Sequence, residues 1–269
     1  MAADSGDIFA GQPTAADVLA ELYDLEHDEI ADDLGFYAEL AGRTRGAILD
    51  LGCGSGRLFG ALLREGRRLV GLDGSGELLR RAARRIECDQ RFAQAARAGR
   101  LQVVLGDVRR VPPIGRFSLI TAVGVLPHLD GPSAVVEMLR SARQRLTRAG
   151  RLVVDDLGPV EMPLRDLPLS VDWRRTVDGD EVTRRSRLLR SDEQGGVRVV
   201  YSTLTERRRP DGTIARLPAG FRLWYPSPET LIRLAGEAGL VVELAYGSHD
   251  LDPLGPDSER RIFILRRSG

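Results

Sequence analysis

Residues 47–57 read AILDLGCGSGR, a short apolar run that carries one aspartate and then three glycines at alternate positions. The apolar run over residues 46–51 predicts a strand, and Gly52 begins the turn at the carboxyl end of that strand. In an open parallel sheet this edge is where ligands bind. Glycines there allow positive φ and let a ligand approach the backbone without a Cβ in the way. The stretch therefore predicts a strand and a ligand-binding turn.

Strand-like and helix-like segments alternate on both sides of this stretch. Residues 14–44 carry apolar residues at helical spacing and predict two helices before the first strand. Further strands are predicted at 68–73, 100–105, 117–123 and 150–156, and helices at 55–66, 75–98 and 131–148. Alternation of this kind predicts a parallel sheet with helices on both faces.

The pattern changes between residues 170 and 226, where turn signals separate runs that alternate polar and apolar residues. These runs predict an antiparallel meander of three or four strands. The α/β pattern then resumes with a helix that has Pro228 at its first position, followed by strands at 240–245 and 261–266. We divide the chain into N-terminal helices (1–45), a core (46–158), an inserted meander (159–226) and a C-terminal segment (227–269).

The charge balance argues against nucleic acid as a partner. The 269 residues include 39 basic and 39 acidic side chains, so the formal net charge is zero and the general attraction to phosphate backbones is missing. Every basic residue is arginine, and neither lysine nor asparagine occurs. We attribute this bias to a GC-rich genome rather than to selection for phosphate binding.

Other bulk features predict a cytoplasmic protein without a membrane segment. No apolar run approaches the ~20 residues of a membrane span, and the acidic first 17 residues lack the apolar core of a secretory signal. Cys53 and Cys88 form neither a disulfide framework nor a metal-binding spacing, so we expect no metal.

The spacing of the glycines separates two classes of cofactor. A dinucleotide fingerprint has glycine at its first, third and sixth positions, but here the sixth position is Arg57. Asp50, two residues before the first glycine, suits a ligand with positive charge. The segment from Asp50 to Gly56 resembles the first motif of the class I S-adenosylmethionine-dependent methyltransferases, which is an acidic residue, an apolar residue and alternate glycines.

This resemblance implies a fold and a cofactor. The fold is α/β, a Rossmann-like class I methyltransferase fold with a seven-stranded, mostly parallel sheet and an antiparallel last strand, here with an inserted antiparallel β meander. The cofactor is S-adenosyl-L-methionine, which leaves as S-adenosyl-L-homocysteine. The reaction of the family is an in-line displacement at the methyl carbon, so the enzyme mainly positions and desolvates the reactants.

The resemblance also implies cofactor contacts at successive strand ends. Asp73 would bind the ribose hydroxyls, and Asp107 with the N–H of Val108 would bind the adenine. An isolated aspartate at a strand end is more often a helix cap, and Ser75 could serve as that cap equally well. The full set of predicted cofactor contacts is Tyr23, Asp50, Gly52, Cys53, Gly54, Arg57, Asp73, Gly74, Asp107, Val108 and Val123.

The end of the fourth strand carries the candidate for chemistry. It reads GVLPH over residues 124–128 and lacks the Asn-Pro-Pro-aromatic motif of enzymes that methylate nucleobase amines. The segment instead resembles bacterial small-molecule methyltransferases with a histidine here. A neutral His128 could remove a proton from the acceptor, or it could only line the pocket or cap the next helix.

Further residues are predicted to contact the cofactor or the acceptor. The resemblance places Tyr23 over the cofactor, and Tyr37 is a substrate candidate although its apolar helix face also fits a core position. His27, one helical turn after Tyr23, either lines the same mouth or faces solvent. The meander resembles the insertion of sugar and small-amine N-methyltransferases, which forms an acceptor wall or a homodimer contact. The remaining substrate candidates are Asp156, Trp173, Trp224 and Tyr225.

We therefore predict methyl transfer to nitrogen or oxygen of a small-molecule metabolite. The alternatives are an RNA or protein methyltransferase, a NAD-dependent dehydrogenase, which Arg57 disfavours, and an S-adenosylmethionine-binding protein without turnover.

Overall fold

A computed structural model describes residues 15–158 and 169–269 of the chain. The N-terminal segment that the sequence interpretation used to exclude a secretory signal lies almost wholly outside the described residues, as does the start of the predicted meander domain. None of the described helices is long and apolar enough to cross a membrane.

The main sheet has seven strands in the order β10-β11-β5-β4-β1-β2-β3. Their bounds are β1 Ile48–Leu51, β2 Leu69–Asp73, β3 Leu101–Leu105, β4 Phe117–Val123, β5 Leu146–Leu157, β10 Leu240–Tyr246 and β11 Arg260–Arg267. β1 lies between β2 and β4 and pairs with both in parallel, whereas β11 runs antiparallel to β5 and β10. This confirms the predicted seven-stranded sheet with an antiparallel last strand.

The helices differ from the sequence predictions in two places. Their bounds are α1 Ala15–His27, α2 Leu34–Arg43, α3 Phe59–Leu62, α4 Gly76–Cys88, α5 Gln90–Arg97, α6 Pro132–Arg145 and α7 Pro228–Glu237. The helix predicted over 55–66 is reduced to the four residues of α3, because the glycine turn occupies the residues before it. The helix predicted over 75–98 breaks at Asp89, whose side chain accepts a hydrogen bond from the Phe92 N–H and caps α5.

The inserted segment forms a separate four-stranded antiparallel sheet in the order β6-β7-β8-β9. Its strands are β6 Ser170–Val177, β7 Asp180–Glu193, β8 Gly196–Arg208 and β9 Ile214–Pro226. Each of the three turns that join the meander strands has a residue with positive φ: Asp178-Gly179, Gly195 and Gly212. The end of β9 packs against a short 3₁₀ turn, Leu126–His128, at the carboxyl end of β4.

The apolar core covers both faces of the main sheet. Alternation along β5 sends Leu152 and Val154 to one face, beneath α6 and α7, and Val153 to the other face, beneath α2 and α4. Trp224 of the meander is buried in the first of these layers. The meander is thereby joined to the core through an apolar contact as well as through the chain.

Candidate cofactor and acceptor site

The three glycines of the first turn each have a structural reason. Gly52, Gly54 and Gly56 have φ of +69°, +54° and +84°, in the left-handed region that other residues rarely adopt. A Cβ on Gly52 would lie 2.6 Å from a methyl carbon of Val125, and one on Gly56 would lie 2.5 Å from the ring of Phe59. The first and third glycines thus allow packing inside the fold, and the middle one lets a side chain of another element lie directly against the turn.

Tyr23 of α1 occupies the position above the middle glycine. A Cβ on Gly54 would lie 3.2 Å from the Tyr23 hydroxyl oxygen. Burial raises the pKa of Tyr23 to about 12, so the phenol remains a neutral donor and acceptor at physiological pH. The Tyr23 ring lies against the turn, and its predicted contact with a cofactor stays a prediction.

Asp73, at the end of β2, binds the same turn from below. Its Oδ2 accepts a hydrogen bond of 2.8 Å from the Gly54 N–H, and its Oδ1 accepts one of 2.8 Å from the Ser75 N–H. Ser75 itself caps α4 by accepting from the Leu78 N–H at 3.2 Å. Because the cap is provided by Ser75, Asp73 is left with a partly exposed carboxylate whose oxygens can each accept another hydrogen bond.

Asp50 does not lie where it could contact the cofactor directly, as the sequence predicted. Its side chain is 2% exposed, and its Oδ1 accepts a hydrogen bond of 2.7 Å from the Thr121 hydroxyl of β4. Desolvation raises the pKa of Asp50 to about 7. In this conformation Asp50 can act on a cationic ligand through its electric field but does not reach the surface of the site.

Arg57 and Cys53 also make contacts within the protein. The Arg57 guanidinium donates to both carboxylate oxygens of the buried Asp33, at 2.7 and 2.6 Å, and so ties the loop before α2 to the glycine turn. The Cys53 thiol is buried against Gly71 of β2. A cofactor contact from either side chain would require these arrangements to change; the backbone of Cys53 remains part of the turn.

The predicted adenine end lies after β3. Asp107 accepts a hydrogen bond of 2.8 Å from the Arg109 N–H, and its carboxylate is also bound by the Arg109 guanidinium, with a shortest distance of 2.7 Å. Hydrogen bonding from Arg109 lowers the pKa of Asp107. Val108 and Val123 are partly exposed and Gly74 is exposed, so these positions are open at the edge where the cofactor is predicted to lie.

Two histidines lie at the same end of the site. His128 ends the 3₁₀ turn after β4 and is an exposed residue. Desolvation lowers the pKa of His128, and the charge of Asp73 opposes this shift. His27 stacks on Tyr23 with ring centroids 4.0 Å apart and an interplanar angle of 16°. The prediction that His27 lines the mouth is therefore favoured over a solvent-facing position.

Helix α1 is held over the turn by arginines from two directions. Acidic residues of α1 and of the turn that follows it pair with arginines of α4 and of the meander: Asp24–Arg81, Asp28–Arg85, Glu29–Arg175, Glu26–Arg184 and Glu21–Arg207. We call this set of five ion pairs the α1 clasp. The clasp places Tyr23 and His27 between the glycine turn and the meander.

The two aspartates that close β5 face opposite sides of the sheet. Asp155 lies beneath α2, where it accepts hydrogen bonds from the Tyr37 hydroxyl and from Arg260 Nε, the latter at 2.8 Å, and contacts His249 Nε2 at 2.8 Å. The hydrogen bonds and the Arg260 charge lower the pKa of Asp155 despite its burial. Tyr37 is fully buried, so its predicted substrate contact is wrong in this conformation, and its role is in this internal network.

Asp156 lies beneath the end of β9, close to Tyr225. It is 7% exposed, and its Oδ1 is buried without a hydrogen-bond partner in the described part of the chain. Desolvation and the Asp155 charge raise the pKa of Asp156 well above its usual range. A protonated carboxyl there can donate to the acceptor or to Tyr225, so its acceptor contact stays a prediction.

The aromatic residues of the meander divide between two roles. Trp224 is 2% exposed and belongs to the core, so the prediction that it lines an acceptor wall is wrong. Tyr225 is buried at the boundary with Asp156. Trp173 is partly exposed beside α1, with its ring 5.1 Å from the Arg175 guanidinium carbon.

Several site-forming residues were not predicted from the sequence. Thr121, Asp33, His249 and Arg260 lie far along the chain from the residues they bind, and no local motif marks them. Asp33 alone carried a weak signal, because it precedes the first residue of α2 in the position of a helix cap.

These residues fit S-adenosylmethionine on three observations. Gly54 lets Tyr23 lie directly against the backbone of the turn, Asp73 has free acceptor capacity at the edge of the sheet, and the buried Ser55 hydroxyl of the turn has no partner in the described part of the chain. Within residues 15–158 and 169–269, no three His, Cys, Asp or Glu side chains converge in a way that could hold a metal ion.

Comparison with known sequences supports this interpretation. A family model described as a methyltransferase domain matches residues 48–150. A ubiquinone biosynthesis O-methyltransferase of Bradyrhizobium diazoefficiens is 27% identical over 175 residues, which are 60% of this chain and 64% of that protein. A tRNA U34 carboxymethyltransferase of Haemophilus influenzae is 30% identical over 123 residues, 45% of this chain and 34% of that protein. The chain thus spans less than two thirds of the length of either relative.

Solved structures match over nearly the whole chain. The CcbJ methyltransferase of Streptomyces caelestis is 20% identical with a TM-score of 0.71, covering 98% of this chain and 96% of that one. An S-adenosylmethionine-dependent methyltransferase of Clostridium acetobutylicum is 15% identical with a TM-score of 0.73, covering 95% and 100%. The sugar N-methyltransferase KedS8 of a Streptoalloteichus species is 17% identical with a TM-score of 0.69, covering 99% of both chains. At these identities the likeness establishes the fold.

The glycine turn and the order of the strands agree with the matched domain: residues 48–150 match a methyltransferase domain, and the chain has the fold of the solved methyltransferase structures that it resembles.

Proposed function

We propose that this protein transfers a methyl group from S-adenosylmethionine to a nitrogen or oxygen of a small-molecule metabolite. When bound, the cofactor supplies an electrophilic methyl group on a sulfonium. The protein has to orient the two reactants in line, exclude water and accept the acceptor's proton. Asp73 would hold the ribose, and Tyr23 would cover the cofactor from above.

The main support for a small acceptor is that two elements of the fold lie over the site. Helix α1 lies over the glycine turn and is fixed by the α1 clasp to α4 on one side and to the meander on the other. The end of β9 packs on the 3₁₀ turn that carries His128. These elements flank the exposed His128, and we infer that an acceptor of metabolite size fits between them more readily than a folded nucleic acid or protein.

The proteins that this chain resembles support a small acceptor but do not identify its chemical class. The structural neighbours include a sugar N-methyltransferase and an amino pentose methyltransferase, and one curated relative acts in ubiquinone biosynthesis. The relative named for tRNA shares only 34% of its length with this chain. The balanced charge of the chain also lacks the excess of basic residues that RNA binding normally uses.

His128 and Asp156 are the proposed acceptor contacts from the main domain. His128 lies at the end of β4, the strand next to the glycine strand, and Asp156 lies at the end of the following strand in the sheet. His128 could contact the acceptor or take its proton. Asp156, with its buried unpartnered oxygen, could bind an acceptor hydroxyl or amine after a small opening of the meander.

The test has a binding arm and a turnover arm. We expect S-adenosylmethionine to raise the melting temperature and NAD to leave it unchanged, since only a ligand of the folded state stabilises it. S-adenosylhomocysteine release would then be measured with a panel of amino sugars, small amines, phenols and bulk tRNA. Release that requires a small amine or hydroxyl compound supports the proposal. Release that requires tRNA, or stabilisation by NAD alone, contradicts it.

A further inference from the structure

The ring of His27 is held in one orientation by two contacts. Its Nδ1 lies 2.8 Å from the carbonyl oxygen of Tyr23, one helical turn earlier. A carbonyl oxygen can only accept, so in the neutral imidazole Nδ1 carries the proton. The second contact is the stack of the imidazole on the Tyr23 ring, 4.0 Å away. The tautomer and the plane of the ring are therefore both fixed.

This arrangement leaves Nε2 as the free acceptor atom of His27. Nε2 has no hydrogen-bond partner among the described residues. It is not fully buried either, so a ligand can reach it. The nitrogen thus has an unshared electron pair and an accessible side. It is also held in place, because α1 is bound to α4 and to the meander through the α1 clasp.

The charges around His27 keep its ring neutral. The groups that face it are Tyr23 and Asp24 of its own helix, Arg57 of the turn after β1, Arg184 of β7 and His128 after β4. Desolvation lowers the pKa of His27 below its usual value, the nearby guanidinium groups lower it further, and only Asp24 and the hydrogen bond to Tyr23 oppose them. At neutral pH the ring is in the form that accepts a proton.

His128 lacks the corresponding support. Its backbone N–H donates to the Val125 carbonyl oxygen at 3.1 Å, but no hydrogen bond to a described residue fixes its ring. A general base is usually oriented by a further group on its far side. His27 meets that condition through the Tyr23 carbonyl, and His128 does not.

We infer that His27 is a second catalytic residue of this site, whose Nε2 accepts the proton of the acceptor amine or hydroxyl as the methyl group is transferred. This inference rests on the proposed function. The N–H or O–H bond of the acceptor breaks, and its proton moves to Nε2 to give an imidazolium. The freed lone pair forms the bond to the methyl carbon, while the carbon–sulfur bond breaks and its electron pair stays on sulfur.

The first test observes the ring without turnover. The chain has three histidines, so nitrogen NMR of protein labelled at histidine can assign each ring by comparison with His27→Phe. We expect His27 to carry its proton on Nδ1, with Nε2 unprotonated at pH 7. A proton on Nε2, or a charged ring at pH 7, overturns the inference whatever the activity.

The second test uses an acceptor found in the panel described above. His27→Phe keeps a ring to stack on Tyr23 but removes both nitrogens. We expect kcat to fall about 100-fold or more and the affinity for S-adenosylmethionine to change less than about twofold. The decline of kcat at acidic pH that belongs to the imidazole should be lost. His128→Phe is the matched comparison and should retain that decline.

Three outcomes would count against the inference. A wild-type protein that binds the cofactor but methylates nothing overturns the proposed function and the role of His27 with it. An active wild type with unchanged kcat and pH profile in His27→Phe overturns the role of His27 alone. Loss of cofactor affinity in parallel with kcat would assign His27 to packing of α1.

Discussion

Asp73 shows how one carboxylate can serve both the fold and the site. It accepts hydrogen bonds from two backbone N–H groups of neighbouring turns, which fixes the carboxylate at the edge of the sheet. The neighbouring helix is capped by Ser75 instead. The acidic residue is therefore preorganised and retains acceptor capacity for a ligand with vicinal hydroxyls.

Replacing Asp73 should separate cofactor binding from helix capping. We expect Asp73→Ala to weaken S-adenosylmethionine binding by about 1–3 kcal/mol, the cost of lost hydrogen bonds to a charged, partly buried group. Titration calorimetry measures this directly. Ser75→Ala is the control, since it should lower stability by ~1 kcal/mol through loss of the cap while changing affinity little. Equal affinities in wild type and Asp73→Ala would remove the ribose role.

Asp50 should make the unfolding free energy fall as pH rises, which is the opposite of the usual effect of an aspartate. Its pKa rises from 3.8 to about 7 on folding, so between these values the folded state holds a proton that the unfolded state releases. The unfolding free energy therefore falls as pH rises through this window. Asp50→Asn, which can still accept from Thr121, removes this loss.

We compare the unfolding free energy of the cofactor-free Asp50→Asn protein with that of wild type. This difference should rise in favour of the variant by roughly 1–2 kcal/mol from pH 5.5 to pH 8.5, since one pKa unit corresponds to about 1.4 kcal/mol. Urea unfolding at the two pH values gives this difference. The exposed Asp250→Asn serves as the control. A gain that is the same at both pH values would show that Asp50 is ionised in the folded protein.

At the scale of elements, the α1 clasp decides how firmly the site is covered. Most of its pairs are partly exposed, and such pairs contribute little individually. Arg184 differs, because its side chain is only 8% exposed. It pairs with Glu26 and Asp172, and it donates a hydrogen bond of 3.1 Å to the Tyr201 hydroxyl. Removing its charge would leave Glu26 without its buried partner, which is costly.

Arg184→Gln should loosen α1 without unfolding the chain. We expect faster hydrogen exchange in α1 and a cofactor affinity lowered about 3- to 30-fold, the equivalent of roughly 0.7–2 kcal/mol. Exchange mass spectrometry and calorimetry provide the two readouts. Arg216→Gln removes an exposed arginine from the same sheet, paired with Glu206, and should change neither. Unchanged exchange in α1 would mean that the helix is held by apolar contacts alone.

The sequence predicted elements well where the signal was local. Apolar runs located every strand of the main sheet to within a few residues, since a buried parallel strand has to be continuously apolar. The helix predicted over 55–66 failed because helical periodicity was assigned to residues that three left-handed glycines hold in a turn. Asp89, whose side chain caps α5, could have predicted the break between α4 and α5. It was overlooked because the amphipathic pattern continues on both sides of it.

The site was predictable only at the strand ends. The glycines, Asp73 and Asp107 follow from the topology, because the carboxyl ends of parallel strands share one edge. The α1 clasp joins residues up to 186 positions apart, and Tyr37 binds Asp155 across 118 positions. Such pairs depend on how layers pack, so Tyr37 and Trp224 were assigned to the acceptor when they belong to the interior.

At the scale of the whole molecule, the meander and the main sheet share a core. Trp224, at the end of β9, is buried among Leu126, Leu231 and other residues of the main domain. The insertion also contributes arginines to the α1 clasp. A sheet attached by one aromatic anchor and several ion pairs should not unfold before the domain that buries the anchor.

We therefore expect a single cooperative unfolding transition. Both tryptophans lie in the meander, so fluorescence reports on that sheet, whereas far-UV circular dichroism reports on the whole chain. In Trp173→Phe only the core anchor emits, and its urea transition should coincide with the dichroism transition. Trp224→Ala should lower the unfolding free energy by about 3–5 kcal/mol. A fluorescence midpoint at clearly lower urea than the dichroism midpoint would instead make the meander an independent lid, and the enclosure of the acceptor site would then be a transient closure.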